Sequence, residues 1–249
     1  MNMTGNTILI TGGGAGIGRG LAEALHAEGN KIIVAGRREN VLRAATAANP
    51  GMSFAVLDVE DAKAIRDFAA KIVQDHPALN VLINNAGIMR AENLTGDSVD
   101  IDDAEAMIAT NVLGPIRLTA ALLPHLRKQS DAAVVNVTSG LAFVPLAFTP
   151  TYSATKAAMH SYSQSLRHQL RNTSVSVIEL APPAVATDLM PTSRSNPHAM
   201  TLESYIAESM SLLKANPAAP EICVNAVLRL RNAESGGNYA QVFGQLNPD

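Results

Sequence analysis

The chain predicts an α/β protein of the doubly wound type, one parallel sheet with helices on both faces. Three observations point there. Short runs of β-branched and aliphatic residues alternate with longer amphipathic segments, the pattern of parallel strands joined by crossover helices. A glycine-rich turn lies directly between the first apolar run and the first helical pattern. With 249 residues, 47% hydrophobic content and a net charge of −3, the chain can bury one large core, so a single domain over residues 1–249 is expected.

The strand runs, in order, are Ile8 to Ile10, Ile32 to Ala35, Phe54 to Leu57, Val81 to Ile83, Val134 to Val137 and Val175 to Leu180, giving at least six strands. Helical patterns cover roughly 18–28, 39–48, 61–75, 103–128, 152–171, 201–214 and 219–231. Right-handed crossovers then place ligands beyond the carboxyl ends of the strands. Residues of about 188–216 read as a loop and helix on the substrate side, with Pro191 to Pro197 as a mobile loop. Near the C-terminus, Ser235-Gly236-Gly237-Asn238 leads into Tyr239 to Leu246, which looks like a short helix and leaves a seventh strand in doubt.

Composition narrows the function. Lys and Arg are dispersed, the pI is near 6.1 and no zinc or helix-turn-helix spacing occurs, so no nucleic-acid partner is expected. The apolar runs look too short for a membrane span and the N-terminus lacks a signal-peptide core, so a soluble cytoplasmic protein without a membrane partner is expected. The one cysteine, Cys223, lies in a late helical pattern and reads as a structural thiol.

Two motifs carry chemistry. Thr11-Gly12-Gly13-Gly14-Ala15-Gly16-Ile17-Gly18 follows the first strand and opens the first helix. Glycines let the backbone approach a pyrophosphate, and the helix N-terminus offers unpaired N–H groups and partial positive charge. The spacing is G-x-x-x-G-x-G, and the segment lacks the Gly-Lys-Ser/Thr ending of a nucleotide-hydrolysing loop. The second motif sets Tyr152 and Lys156 one helical turn apart, thirteen residues after Ser139 at the end of an apolar run. Residues at i and i+4 share a helix face, so the Lys156 charge is expected to lower the Tyr152 pKa and fit the phenol for proton transfer.

On these residues the chain resembles the short-chain dehydrogenase/reductase family, compact single-domain branch, from about residue 5 to Thr187. The resemblance rests on Thr11, Gly12, Gly16 and Gly18, on Asn84-Asn85-Ala86-Gly87, on Asp58, and on Asn111, Ser139, Tyr152 and Lys156. It implies a Rossmann-type sheet and hydride transfer between a nicotinamide cofactor and a carbonyl or secondary alcohol. Tyr152 would exchange the proton and Ser139 would polarise the substrate oxygen. Lys156 would bind the nicotinamide ribose and tune Tyr152, and Asn111 would hold a water linking Lys156 to solvent. Cofactor contacts would fall on Gly12, Gly14, Gly16, Ile17 and Gly18, on Arg37 and Arg38, on Asp58 and Val59, on Asn85, Ala86 and Gly87, and on Tyr152, Lys156, Pro182, Val185 and Thr187; no metal is implied. The run Ala181-Pro182-Pro183 resembles a subgroup typified by the dehydrogenase encoded with teichoic-acid D-alanylation genes.

NADP is expected over NAD, because the second strand ends in Gly36 where an NAD site usually carries a carboxylate, and two guanidiniums follow. Ala15 stands where NADP-binding relatives often have a basic or hydroxyl residue, and Pro183 stiffens the loop after the sixth strand. Glu60, Asp61 and Lys63 read as ordinary helix-start and surface charges. Leu141, Phe143, Val144, Leu146, Phe148, Leu189 and Met190 suggest an apolar pocket for a bulky or aromatic ketone or its alcohol. Apolar stripes on the helices near 103–128 and 152–171 suit a homo-oligomer, a dimer rather than a tetramer. Two other readings are a non-catalytic NADP(H)-sensing regulator and a dehydratase or epimerase; only about sixty residues follow Thr187, few for the substrate domain of the latter.

Overall fold

A computed structural model describes residues 1–96 and 99–248. Its seven strands are β1 (Thr7–Thr11), β2 (Lys31–Gly36), β3 (Ser53–Val56), β4 (Leu79–Asn84), β5 (Ala132–Val137), β6 (Val175–Leu180) and β7 (Glu221–Ile222). They form one sheet in the order β3-β2-β1-β4-β5-β6-β7, with every pair parallel. The helices are α1 (Gly16–Ala27), α2 (Glu39–Ala48), α3 (Ala62–Asp75), α4 (Asp102–Ile108), α5 (Gly114–Leu126), α6 (Pro150–Leu170), α7 (Leu202–Ala215), α8 (Leu228–Arg231) and α9 (Tyr239–Leu246). This is the expected doubly wound, Rossmann-type fold.

Alternation along the strands builds a core on each face. Ile8 and Ile10 of β1 pack with Leu21 and Leu25 of α1 and Tyr205 of α7, while Leu9 turns to the other side, among Ile65 of α3, Leu118 and Leu122 of α5 and Leu166 of α6. Truncating a residue such as Leu9 to Ala would cost about 2–5 kcal/mol. The winding reverses between β1 and β4, so their carboxyl ends diverge and leave a crevice between the outgoing loops.

Four local expectations need correction. A seventh strand does form, at Glu221–Ile222, inside the stretch expected to be helical over 219–231. Pro220 lacks the N–H a helix interior needs, its carbonyl accepts from Glu179 N at 2.9 Å, and Ile222 is buried in the core, so pairing with β6 wins. Cys223 consequently follows a strand rather than lying in a helix; burial pushes its thiol up to about 11, in keeping with a structural role. The Tyr239–Leu246 helix forms as expected.

The helix expected over 103–128 is interrupted. Between α4 and α5 the chain makes a π-helical turn, Ala109–Leu113. Gly114 follows it where an added Cβ would lie 2.8 Å from the Val59 carbonyl oxygen, so the helix can press against the loop after β3 only through a glycine. The continuous run Asp102–Leu126 is, contrary to expectation, long and apolar enough by length and composition to cross a membrane. Leu118, Leu122 and Leu126 are fully buried in the core beneath the sheet, which accounts for that apolar character in a crossover helix.

Candidate active site

The glycine turn is shaped for close backbone approach. Gly12 has φ +66° and Gly16 has φ +53°, left-handed values that favour glycine. A Cβ on Gly12 would lie 2.8 Å from Asn85 Nδ2 and 3.0 Å from Ala86 Cα, and one on Gly18 would collide with the Gly12 carbonyl oxygen and Asn85 Nδ2. Asn85 ties this turn to the end of β4. Its Nδ2 donates to Thr11 O at 3.0 Å, and the Thr11 hydroxyl accepts from Asn85 N and Ala86 N at 3.0 and 3.1 Å. The N-cap of α1, Ala15, makes no side-chain capping bond and the first turn holds no acidic residue. Amides with no capping partner, a positive helix end and side-chain-free backbone fit a pyrophosphate. Thr187 lies over the turn, where a Cβ on Gly16 would be 3.5 Å from the Thr187 Cβ. Pro182 O accepts from Gly140 N at 2.8 Å, tying the loop after β6 to the loop after β5, and Val185 bridges Met200.

Across the crevice, α6 carries Tyr152 and Lys156, both buried on one face as the i, i+4 spacing required. Pro150 in the first turn suits the helix start. Ser139, at the end of β5, accepts from Leu141 N at 3.1 Å through its hydroxyl oxygen. Lys156 Nζ donates to Val137 O at 2.9 Å and stands 5.5 Å from the centre of the Tyr152 ring. A Cβ on Gly87 would be 3.8 Å from that Nζ, so the loop after β4 closes the same space.

The electrostatics depart from expectation. Burial raises the Tyr152 pKa well above the ordinary phenol value, and Ser139 draws it only partly back. Burial pushes Lys156 down to about 8, with the Glu179 charge opposing that fall. The expected lowering of Tyr152 by Lys156 is absent in the protein alone, because loss of water outweighs a charge that faces the ring and a backbone carbonyl. Asn111 lies in the π turn. Its Oδ1 accepts from Ile88 N at 2.9 Å, and its Nδ2 donates to Ile88 O at 2.9 Å and to Thr155 Oγ1 at 3.2 Å. The amide is engaged by protein and fixes the loop beyond Gly87 against α6.

The β2–β3 side is open. Arg37 and Arg38 are exposed, with Arg38 at the N-cap of α2, and Asp58 uses its carboxylate to accept from Glu60 N at 3.0 Å. Val59 is buried under Gly114. Asp61 caps α3, accepting from Lys63 N and Ala64 N at 2.7 and 3.0 Å, as a helix-start residue should. Glu60 is not an ordinary surface charge. It pairs with Arg37 at 3.2 Å and accepts from Thr110 Oγ1 at 2.6 Å, while its backbone oxygen accepts from Arg117 at 3.1 Å. Sequence reasoning also missed Thr138, Thr155, His160 and Glu179. Of these, only Glu179, a carboxylate inside an apolar strand run, gave a signal.

A phosphate-fitted glycine turn and a buried Tyr–Lys pair at one sheet edge define a nicotinamide-dependent oxidoreductase class. The short chain dehydrogenase family matches residues 6–198, and the chain belongs to that family. It is 42% identical over 251 residues to the uncharacterized oxidoreductase DltE of Bacillus subtilis strain 168, covering 99% of this chain and 98% of the relative, in line with the subgroup resemblance. Among solved structures it resembles a short-chain dehydrogenase from Streptomyces avermitilis at 25% identity and a TM-score of 0.83, over 97% of this chain and 96% of that one. It also resembles a closed serine dehydrogenase complexed with NADP+ at 28% identity and a TM-score of 0.76, over 87% of this chain and 92% of that one.

Proposed function

We propose that this oxidoreductase works with NADP(H) on the carbonyl, or the secondary alcohol, of an apolar substrate, and that Tyr152 is the proton-transfer residue. The observation that carries the reading is the convergence of buried Tyr152, Lys156 and Ser139 opposite the glycine turn. The raised pKa of Tyr152 keeps the phenol protonated at neutral pH, the form that donates to a carbonyl oxygen. Ser139 lies beside that hydroxyl and orients the same oxygen as charge builds on it. Lys156, when protonated, stabilises the phenolate left after transfer and holds the ribose hydroxyls. Asn111 keeps the Ile88 loop and α6 in register. When bound, the cofactor supplies the two-electron step, a hydride given to or taken from the substrate carbon.

Gly12, Gly14, Gly16, Ile17 and Gly18 would hold the pyrophosphate, Asp58 and Val59 the adenine, and Asn85, Ala86, Gly87, Pro182, Val185 and Thr187 the nicotinamide end. Arg37 and Arg38 would hold the 2′-phosphate. Gly36 adds no carboxylate to repel that group, and the Arg37–Glu60 pair, 54% and 32% exposed, is weak enough for a phosphate to compete with. The NADP+ in the serine dehydrogenase structure supports this choice. Leu141, Phe143 and Leu146 follow Ser139, and exposed Phe148 and Leu189 favour a bulky apolar substrate; Val144 is instead buried against Ala233 and Val242 and adds to the core. Ile108 and Leu113 are exposed on the α4–α5 run, which supports a dimer formed through that face of a cytoplasmic protein.

The test is a turnover screen of aryl and bulky aliphatic ketones, and their alcohols, with each cofactor pair. Turnover with NADPH at about tenfold or more the kcat/KM seen with NADH is expected. Equal use of NADH would remove the NADP assignment, and NADPH binding without any carbonyl turnover would make the chain a regulator.

A further inference from the structure

Behind the proposed reacting groups lies a carboxylate to which the mechanism gives no task. Glu179 on β6 has no exposure to solvent, yet it sits beside strand β5 in register with Asn136. Its Oε1 accepts from the Thr138 hydroxyl at 2.6 Å, and His160 Nδ1 lies 2.8 and 3.0 Å from its two oxygens. Thr138 directly precedes Ser139, and His160 is one turn beyond Lys156 on α6. The carboxylate therefore joins the strand end that bears Ser139 to the helix that bears Tyr152 and Lys156. An ionised carboxylate buried this deeply is costly unless it is bonded and balanced by opposite charge.

We infer that Glu179 is a positioning residue, the buried counter-charge of Lys156 and the clamp that holds the Ser139 strand end against the Tyr152 helix. The inference rests on the reading of Tyr152 and Lys156 as the reacting pair. Charge bookkeeping around the site supports it. The charged and titratable groups around the site among the described residues are Tyr152 and His160 on α6, Glu179 on β6, Glu221 on β7, Cys223 just after β7 and Arg231 on α8. A ring nitrogen of His160 and a carboxylate oxygen each of Glu179 and Glu221 lie within 4.8 Å of one another. Glu221 is already paired with Arg231, Nε to Oε2 at 2.7 Å, and Gln164 Nε2 approaches His160 Nε2 at 2.9 Å. In this network Glu221 pairs with Arg231 and Glu179 with His160, while Lys156 Nζ on Val137 O and Glu179 Oε1 on the Thr138 hydroxyl hold consecutive residues of one strand end, which brings the carboxylate to the same place as the Lys156 charge. The Glu179 charge opposes the fall that burial imposes on Lys156, and its hydrogen bond raises the pKa of His160. Phe143 meets the His160 ring edge-on at 5.0 Å and carries the Arg231 guanidinium over its own ring at 4.9 Å, so the clamp reaches the apolar segment proposed to line the substrate pocket.

The test reads Lys156 directly, by NMR titration of protein labelled at the lysine ε-carbon, with the signal assigned through Lys156→Arg. In Glu179→Gln, which keeps the shape and loses the charge, the Lys156 midpoint is expected to fall by about one unit or more. Glu179→Asp should restore at least half of that fall. His160→Asn, which keeps the carboxylate and removes only its partner, should leave the midpoint in place or raise it, and it serves if Glu179→Gln does not fold. An unchanged Lys156 midpoint in Glu179→Gln, or a fall in His160→Asn, would overturn the assignment. On a ketone that wild type reduces, the alkaline limb of kcat/KM should move to lower pH with the Lys156 midpoint. Because the titration needs no turnover, a protein that reduces no ketone yet shows the shift would break the proposed function and keep the counter-charge.

Discussion

The two halves of the sheet's carboxyl edge differ in how much water reaches them. On the β5–β6 side Ser139, Tyr152, Lys156 and Glu179 are all buried, at 8% exposure or less. On the β2–β3 side Arg37 and Arg38 are exposed, and the Arg37–Glu60 pair is half in solvent. A charge on the first side has few partners and each one governs its ionisation, whereas a charge on the second side is screened and exchangeable. The buried side suits chemistry that depends on a fixed proton position. The open side suits a selection step in which a phosphate displaces a weak ion pair.

Substitutions on the two sides should therefore differ in size. The largest effect short of removing the phenol is expected from Lys156→Ala, about a hundredfold or more in kcat together with weaker NADPH binding, since its proposed partners include both the phenolate and the ribose. Steady-state kinetics beside fluorescence titration separate the two; unchanged cofactor affinity would assign Lys156 to Tyr152 alone. The same residue sets a pH limit. Its protonated form is present below its pKa and lost above it, so kcat/KM should decline as pH rises through about 8. A profile flat to pH 10 would contradict the need for a charged Lys156.

On the open side the effects shrink. Combining Arg37→Ala with Arg38→Ala should weaken NADPH by about tenfold to a few hundredfold, nearer tenfold given the exposure, and leave NADH almost unchanged. Equal loss for both cofactors would mean that the arginines support the loop rather than the phosphate. The smallest change is expected from Glu60→Gln. It releases Arg37 while keeping an acceptor for Thr110, and should tighten NADPH by about two- to fivefold. A loss of NADPH affinity would show that Glu60 holds Arg37 in its binding position, reversing the idea of competition.

Legibility in the sequence follows the same division by physical cause. The strands are readable because runs of three to six residues rich in β-branched and aliphatic side chains recur between helical patterns, and the glycine turn because only backbone freedom explains so many glycines ahead of a helix. Tyr152 and Lys156 were readable as neighbours through helix geometry alone, but the sign of the Tyr152 shift was not, since burial depends on elements far away in the chain. Glu179 and His160 lie nineteen residues apart and meet only through sheet packing. Glu60 looked like a surface acid because nothing local shows that Thr110, fifty residues on, would bond it. β7 has two residues, too few for any period to register, and Pro220 with buried Ile222 is its only local mark. The π turn runs into Gly114, whose close approach to Val59 is a tertiary contact that no local pattern shows.

The account stands most directly on the Tyr152 hydroxyl. Tyr152→Phe keeps the ring and its packing, so thermal unfolding serves as the control for structure. With a ketone whose reduction is limited by chemistry, kcat is expected to drop to about a few per cent of wild type or less, while NADPH affinity by nicotinamide fluorescence stays within roughly twofold. A Tyr152→Phe enzyme that folds, binds NADPH and turns that ketone over at a rate near wild type would contradict the assignment of Tyr152 as the proton donor.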